Sequence, residues 1–443
     1  MAEIIRTYDL SSMLEIPSGI NRVTVTALAE GLDESEHSIA IEYNNQYLVF
    51  YLNNDNTYSV VGIEEAYKET TACISIPRTY NDLPVRRIKE GAFKNNTVIT
   101  EIFIPESIAD IGNEAFMNCS KLGGLYFDDR DGGAYATPFL TIGQHAFSGC
   151  NFHNVTISKR VKNINDYSFA ECVSLRYLTI PDSVTEIGTS AFEGCSLLES
   201  IEIPGSVTSI GDNAFCGCVM LGSVSIGDSV TRIGDGAFNN CENIVQIAIP
   251  SSVTYVGDNA FENCYLLERV AIAGAAWIGD GAFKGCGSLE KVYFGIPIYE
   301  EDTITGVSDV AKITRIGNEA FRGTILTDIR IPSTVVWIGM NAFRDVTTLE
   351  SAVFEDVYGW FYTKDTSCTG GSPIKSESLL DSSYARVYMS VIAADSNWYK
   401  IDRMIAPTIS LEGSILTITD STGIAEEFRI YVNGWRSGSI SVN

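Results

Sequence analysis

The chain is punctuated by one apolar ring at a near-constant interval. Phe stands at 93, 116, 147, 169, 192, 215, 238, 261, 283, 321 and 343, in steps of 23, 31, 22, 23, 23, 23, 23, 22, 38 and 22. A small residue precedes each, as in Ala191-Phe192; Ser168 replaces Ala once. Five residues before each Phe stands Ile or Val, usually followed by Gly, as in Ile187-Gly188 and Val256-Gly257. Cys recurs three residues after Phe, at 119, 150, 172, 195, 218, 241, 264 and 286.

Between these marks lies a run that alternates apolar and polar positions, such as Leu175-x-x-Leu178-x-Ile180 and Ile244-x-x-Ile247-x-Ile249. Alternation of period two predicts a strand with one buried face. Pro often ends it, at 105, 181, 204, 250 and 332, because Pro cannot donate to a sheet ladder. A second short strand follows, as in Ser183–Gly188; its Gly is expected to supply turn freedom. The Ala-Phe segment then reads as a tight helical turn. One such unit cannot bury its own apolar face, but stacked units bury each other's. Coils ~4.8 Å apart place equivalent side chains in ladders. The expected core ladder includes Phe192, Phe215, Phe238, Phe261, Cys195, Cys218, Cys241 and Cys264.

The combined pattern L-x-x-I-x-I-P-x-S-V-x-x-I-G-x-x-A-F-x-x-C resembles the BspA-like, or Treponema-type, leucine-rich repeat. The resemblance covers residues 76–354. It implies a mainly β chain: a right-handed leucine-rich-repeat solenoid of about eleven repeats of 22–23 residues. It also implies a bacterial surface protein engaged in adhesion or host-protein binding. Residues 46–75 resemble the family's degenerate first repeat. Residues 355–404 resemble its C-terminal cap, with a short helix near 382–396 and Trp360, Phe361, Trp398 and Tyr399 sealing the last coil.

The flanks read differently. Thr408–Asp420 and Phe428–Trp435 alternate like strands, and Asn433-Gly434 is a hairpin signal. This C-terminal text, 405–443, resembles the early strands of a fibronectin-III-like bacterial β-sandwich, with Ile430, Val432, Ile440 and Val442 as candidate assembly positions. Residues 1–45 resemble its later strands, with Val23, Val25, Ile39 and Ile41 in that role. Asn21 stands where the family usually has Tyr, which removes the expected corner bond. Each half is short of strands and exposes an edge. Head-to-tail self-association by strand complementation is one expectation; a divided or permuted module and two small caps are the others.

Charge narrows the partners. The net charge of −26 argues against nucleic acid and anionic membranes, which need a cationic face. No apolar run is long enough for a membrane-spanning helix, and Met1–Tyr8 lacks the features of a signal peptide. An extracellular, cell-surface, virion or appendage location is expected, with protein partners. No cofactor or metal is expected. His37, His145 and His153 form no zinc pattern, and His145 reads as exposed filler. Ile-Gly-Asp strings are repeat turns, not phosphate cradles. Parallel Cys one coil apart stay beyond the ~4 Å Cβ separation of a disulfide, so free core thiols are expected. Cys216 and Cys368 fall off the ladder.

Two repeats are overlong, and insertions in solenoids gather on one face, often the binding face. One holds Asp128, Asp129 and Asp131. The other, within 295–311, holds Tyr299, Glu300, Glu301 and Asp302. These acids lack the spacing of an EF-type calcium loop. Outward strand positions such as Arg176, Tyr177, Thr179, Glu199, Ser200 and Glu202 form the other candidate surface. The expected function is non-enzymatic: a partner-binding or self-assembling surface protein, alternatively a monomeric adhesin or a phage-type fibre subunit.

Overall fold

The computed structural model describes residues 47–129, 137–300, 302–308, 312–364, 371–392 and 394–400, with short strand segments in both flanks. The chain winds a mainly β solenoid of about 12 turns. Each coil contributes two strands. The longer one holds the alternating run, as in Ser200–Ile203 and Gln246–Ile249. The shorter one ends on the Ile of Ile-Gly, as in Ser209–Ile210. Both kinds pair in parallel and in register with neighbouring coils, Ile201 with Val224 and Ile210 with Ile233.

In-register stacking turns the sequence period into a core. The repeat Phe rings from Phe93 to Phe343 form one continuous stack, with centroids 4.9–5.6 Å apart. Cys195, Cys218, Cys241 and Cys264 are buried free thiols. Each donates to a Phe carbonyl one coil back, 3.2–3.4 Å away: Cys195 to Phe169, Cys218 to Phe192, Cys241 to Phe215, Cys264 to Phe238. Burial disfavours the thiolate and pushes Cys119 and Cys172 up to about 12.

The Ala-Phe segment is not a helical turn. Residues two before and two after the ring take left-handed backbone, Asn213 (φ 56°) and Gly217 (φ 74°) around Phe215. Ala214 N–H donates within its own coil to Gly211, at 3.3 Å, but Phe215 N–H donates to Ala237 of the next coil, at 2.8 Å. The turn therefore cannot satisfy its own donors and needs a neighbour.

The Gly of Ile-Gly is also used differently from expectation. Gly188, Gly211, Gly234 and Gly257 do not have left-handed backbone. Each lies against the previous coil. A Cβ on Gly188 would stand 2.7 Å from Asp166 Oδ1 and 2.8 Å from the Asp166 nitrogen. The next residue secures that approach: Asp212, Asp235 and Asp258 Oδ1 accept the N–H of Asp235, Asp258 and Asp280 at 2.9, 3.0 and 2.7 Å.

Both ends of the array are closed by antiparallel structure. Leu48–Leu52 pairs with Tyr58–Ile63, which docks on Leu83–Ile88. At the other end Asn397–Lys400 runs antiparallel to Trp337–Ile338 and then to Trp360–Thr363. Trp360 and Trp398 are buried on Phe354, with centroids 5.5 and 6.0 Å from it. The helix expected near 382–396 runs over Ser382–Val387 and continues as a π turn, Tyr388–Ile392; a further short helix, Ser376–Leu380, precedes it. Asp381 ends the earlier helix and caps the later one, accepting from the Ser383 and Tyr384 N–H groups.

In the flanks, Val23 pairs with Ile41, Val432 with Trp435 and Ile440 with Phe428, all antiparallel. Val25, Ile39, Ile430 and Val442 lie outside the described residues.

Candidate protein-binding face

The longer strands offer one row of outward side chains per coil. Tyr177, Thr179, Ser200 and Glu202 are exposed there, and none is needed by the core. Arg176 and Glu199 are half-buried and pair across adjacent coils at 2.7 Å. This is a flat, variable surface held on a rigid ladder.

The first insertion is tied down by charge. Asp128 binds Arg78 at 2.9 Å, and Arg78 also binds the buried Glu106 at 2.9 Å. Asp129 accepts from the Ser158 hydroxyl and the Lys159 N–H, at 2.5 and 3.1 Å, and lies 3.6 Å from the buried Arg160. Arg160 donates to the carbonyls of Glu106 and Ile108 at 3.1 and 2.8 Å and to Thr137 Oγ1 at 3.0 Å. Burial draws its guanidinium below its ordinary value, while Asp129 and Glu106 act the other way. Asp128 and Asp129 thus anchor the insertion to the solenoid. Asp131 lies outside the described residues.

The second insertion is a hairpin. Pro297–Glu300 pairs antiparallel with Thr303–Val307 and lies across the strand face. One side chain holds it there. Gln246, nearly sixty residues earlier, accepts from the Ile304 N–H at 3.0 Å and donates to the Asp302 carbonyl. Its amide thus stands in for a backbone partner. Ile304 is buried, and so is Ala271, an outward strand position that the hairpin covers. Ile296, Ile298 and Tyr299 remain exposed. Beneath the hairpin runs an open groove of about 800 Å³, within the range of ligand-sized clefts. Tyr299 is therefore brought to one groove with Gln246 and Arg269, while Asp302 meets Gln246 through its carbonyl. Glu301 lies outside the described residues.

The sequence description "BspA type Leucine rich repeat region" fits residues 63–130, 140–268, 186–303 and 297–364, in 6 copies, and so spans most of the chain. The chain belongs to the BspA-type leucine-rich-repeat family. A leucine-rich repeat protein from Bacteroides ovatus is 29% identical, with a TM-score of 0.44; the match covers 70% of this chain and 87% of that one. A leucine rich cell surface protein from Faecalibacterium prausnitzii is 27% identical, with a TM-score of 0.35 and coverage of 71% and 94%. The pneumococcal vaccine antigen PcpA is 18% identical, with a TM-score of 0.46 and coverage of 70% and 80%. The comparison with curated proteins gives no match.

Proteins of the BspA-type family are typically non-enzymatic, protein-binding and cell-surface. Among the described residues, no group of His, Cys, Asp and Glu is arranged to hold a metal ion, and no helix is long and apolar enough to cross a membrane. His145 is not exposed filler: it is half-buried with left-handed backbone (φ 55°), and its ring stacks on Tyr167 at 4.6 Å. Sequence reasoning missed Gln246, Arg160 and Glu106. Each acts across roughly 30 to 60 residues; of the three, Arg160 carried a local signal, standing where other coils have Ser, as at Ser183 and Ser206.

Proposed function

We propose that this BspA-type protein is a cell-surface binding protein that recognises other proteins through its strand face, with the 297–307 hairpin as the main specificity element. The observation that supports this most is the hairpin held across the face by Gln246. It converts a periodic sheet into one groove with exposed Ile296, Ile298 and Tyr299. A loop clamped in this way presents its apolar residues with little ordering cost on binding. The reading is tested by probing an array of purified extracellular-matrix and cell-surface proteins with the full chain. Saturable binding that weakens when Tyr177, Ser200 or Tyr299 is changed to Lys supports it. Binding that ignores all three substitutions rejects it.

Head-to-tail assembly through the flanks is the second reading. It rests on the resemblance of residues 405–443 and 1–45 to the early and later strands of one β-sandwich. Such assembly gives particles that grow with concentration and depend on residues 406–443; a full chain that stays monomeric at high concentration excludes it.

A further inference from the structure

The strand face is interrupted at both insertions and at one further place that holds none. Strands pair without interruption from Asn154–Thr156 to Ser223–Ile226, and again from Gln246–Ile249 to Lys291–Phe294. No strand pairing joins Ser223–Ile226 to Gln246–Ile249. The same two coils remain joined elsewhere. Arg232–Ile233 pairs with Tyr255–Val256, and the rings of Phe215, Phe238 and Phe261 stay 5.3 and 5.2 Å apart. The coils therefore splay on this face alone.

Gly227 lies beside the break. It stands where other coils have Pro, as at Pro204 and Pro250. A Cβ on Gly227 would overlap the Pro204 carbonyl oxygen, so this coil seats closely on the one before it. The floor of this face is left partly uncovered. Val224 and Ile226 are half-buried, whereas Ile201, Ile203, Ile247 and Ile249 at equivalent positions are buried.

The break lies in the hairpin groove. Val224, Ile226 and Tyr299 all line it, and a second hollow continues it past Asp228 to Glu202 and Asp182. Asp182, Glu202 and Asp228 are exposed carboxylates. The groove's one cation, Arg269 among the described lining residues, is paired with Glu268 at 2.7 Å. An apolar floor and an acidic rim select one kind of occupant. An extended segment can lay alternate side chains on the floor, and a carboxylate rim attracts cations.

We propose that this groove binds an extended peptide segment of a partner protein, with a large apolar side chain seated on Val224 and Ile226 and flanking Lys or Arg at Asp228 and Glu202. This deepens the proposed protein-binding function and rests on it.

The test uses the full chain and a positional-scanning library of extended nonapeptides in which apolar residues alternate with Lys or Arg; a matched library replaces the basic residues with Glu. The expected result is enrichment of the basic-apolar library. The best peptide should weaken at least tenfold in Asp228→Lys, in Glu202→Lys and in the exposed roof variant Tyr299→Ala, and be unchanged in Tyr265→Ala, exposed but outside the groove. Equal binding of both libraries, or affinity indifferent to the groove variants, overturns the proposal. So does binding on a glycan array that Tyr299→Ala abolishes while no peptide binds. If an array protein still binds through the strand face while no peptide does, the groove assignment falls and the broader reading stands.

Discussion

The thiol of Cys218 donates to the carbonyl oxygen of Phe192, 3.4 Å away on the preceding coil. The contact explains why a residue as reactive as Cys is tolerated in a repeated column. The thiol satisfies an inward carbonyl, and burial suppresses its ionisation. Native protein at pH 8 should therefore resist alkylation at the ladder positions. Of the described thiols, only half-buried Cys73 and Cys216 should label; all 11 should label in denaturant. Mass spectrometry of labelled peptides checks this, and rapid native labelling of Cys218 or Cys241 contradicts it.

The Phe stack is continuous, so its middle and its first member differ in support. Phe238 lies between Phe215 and Phe261, whereas Phe93 stacks on Phe116 alone. Phe238→Ala should destabilise by about 4 kcal/mol, within the range for emptying a packed aromatic site, and Phe93→Ala by less. Urea unfolding of the two variants gives the comparison.

Two glycines separate close approach from turn freedom. At Gly257 an added methyl would overlap the Gly234 backbone; at Gly205 nothing lies within 4 Å. Gly257→Ala should lose about 3 kcal/mol, since backbone cannot rotate away. Gly205→Ala should stay within about 0.5 kcal/mol of the parent. Equal melting temperatures for the two would contradict the stacking account.

The Asp column has a pH signature. Burial raises Asp258; the Asp280 N–H lowers it, and the charges of Asp280 and Asp235 raise it again. An acid raised by folding costs stability once ionised, so the cost is present above its folded pKa and disappears below the ordinary carboxylate range. Asn318, next to Gly317 in its own coil, accepts the Met340 N–H at 2.8 Å through an amide oxygen. Asp258→Asn should likewise keep the hydrogen bond and shed the repulsion. Because the group is partly exposed, the gain near pH 7 should be a few tenths of a kcal/mol. It should vanish on acidification below pH ~4, as read by thermal melts across pH.

What was legible in the sequence follows from the geometry. Parallel coils in register put Phe192 over Phe215 and Cys195 over Cys218, so a period in the chain is a ladder in space. The left-handed residues flanking each ring left a partial signal, Gly or Asn as at Gly91, Asn213, Gly236 and Asn259. His145, Tyr167 and Ser190 fill the same site without that preference, and there the stacking hydrogen bonds hold the backbone. The Ile-Gly pair was visible, but its cause lies in the neighbouring coil. The hairpin was visible as extra length. Its docking on Gln246 and the break beside Gly227 depend on contacts between coils, which no local pattern encodes.

The most direct measurement of the central claim is amide hydrogen exchange of the full chain, alone and with whichever array protein binds it. Recognition through the groove predicts added protection at Ser223–Ile226, Gln246–Ile249 and the 297–307 hairpin, with the shorter-strand sheet at Ser209–Ile210 and Arg232–Ile233 unchanged. Protection confined to the flanks or to that second sheet would contradict the account.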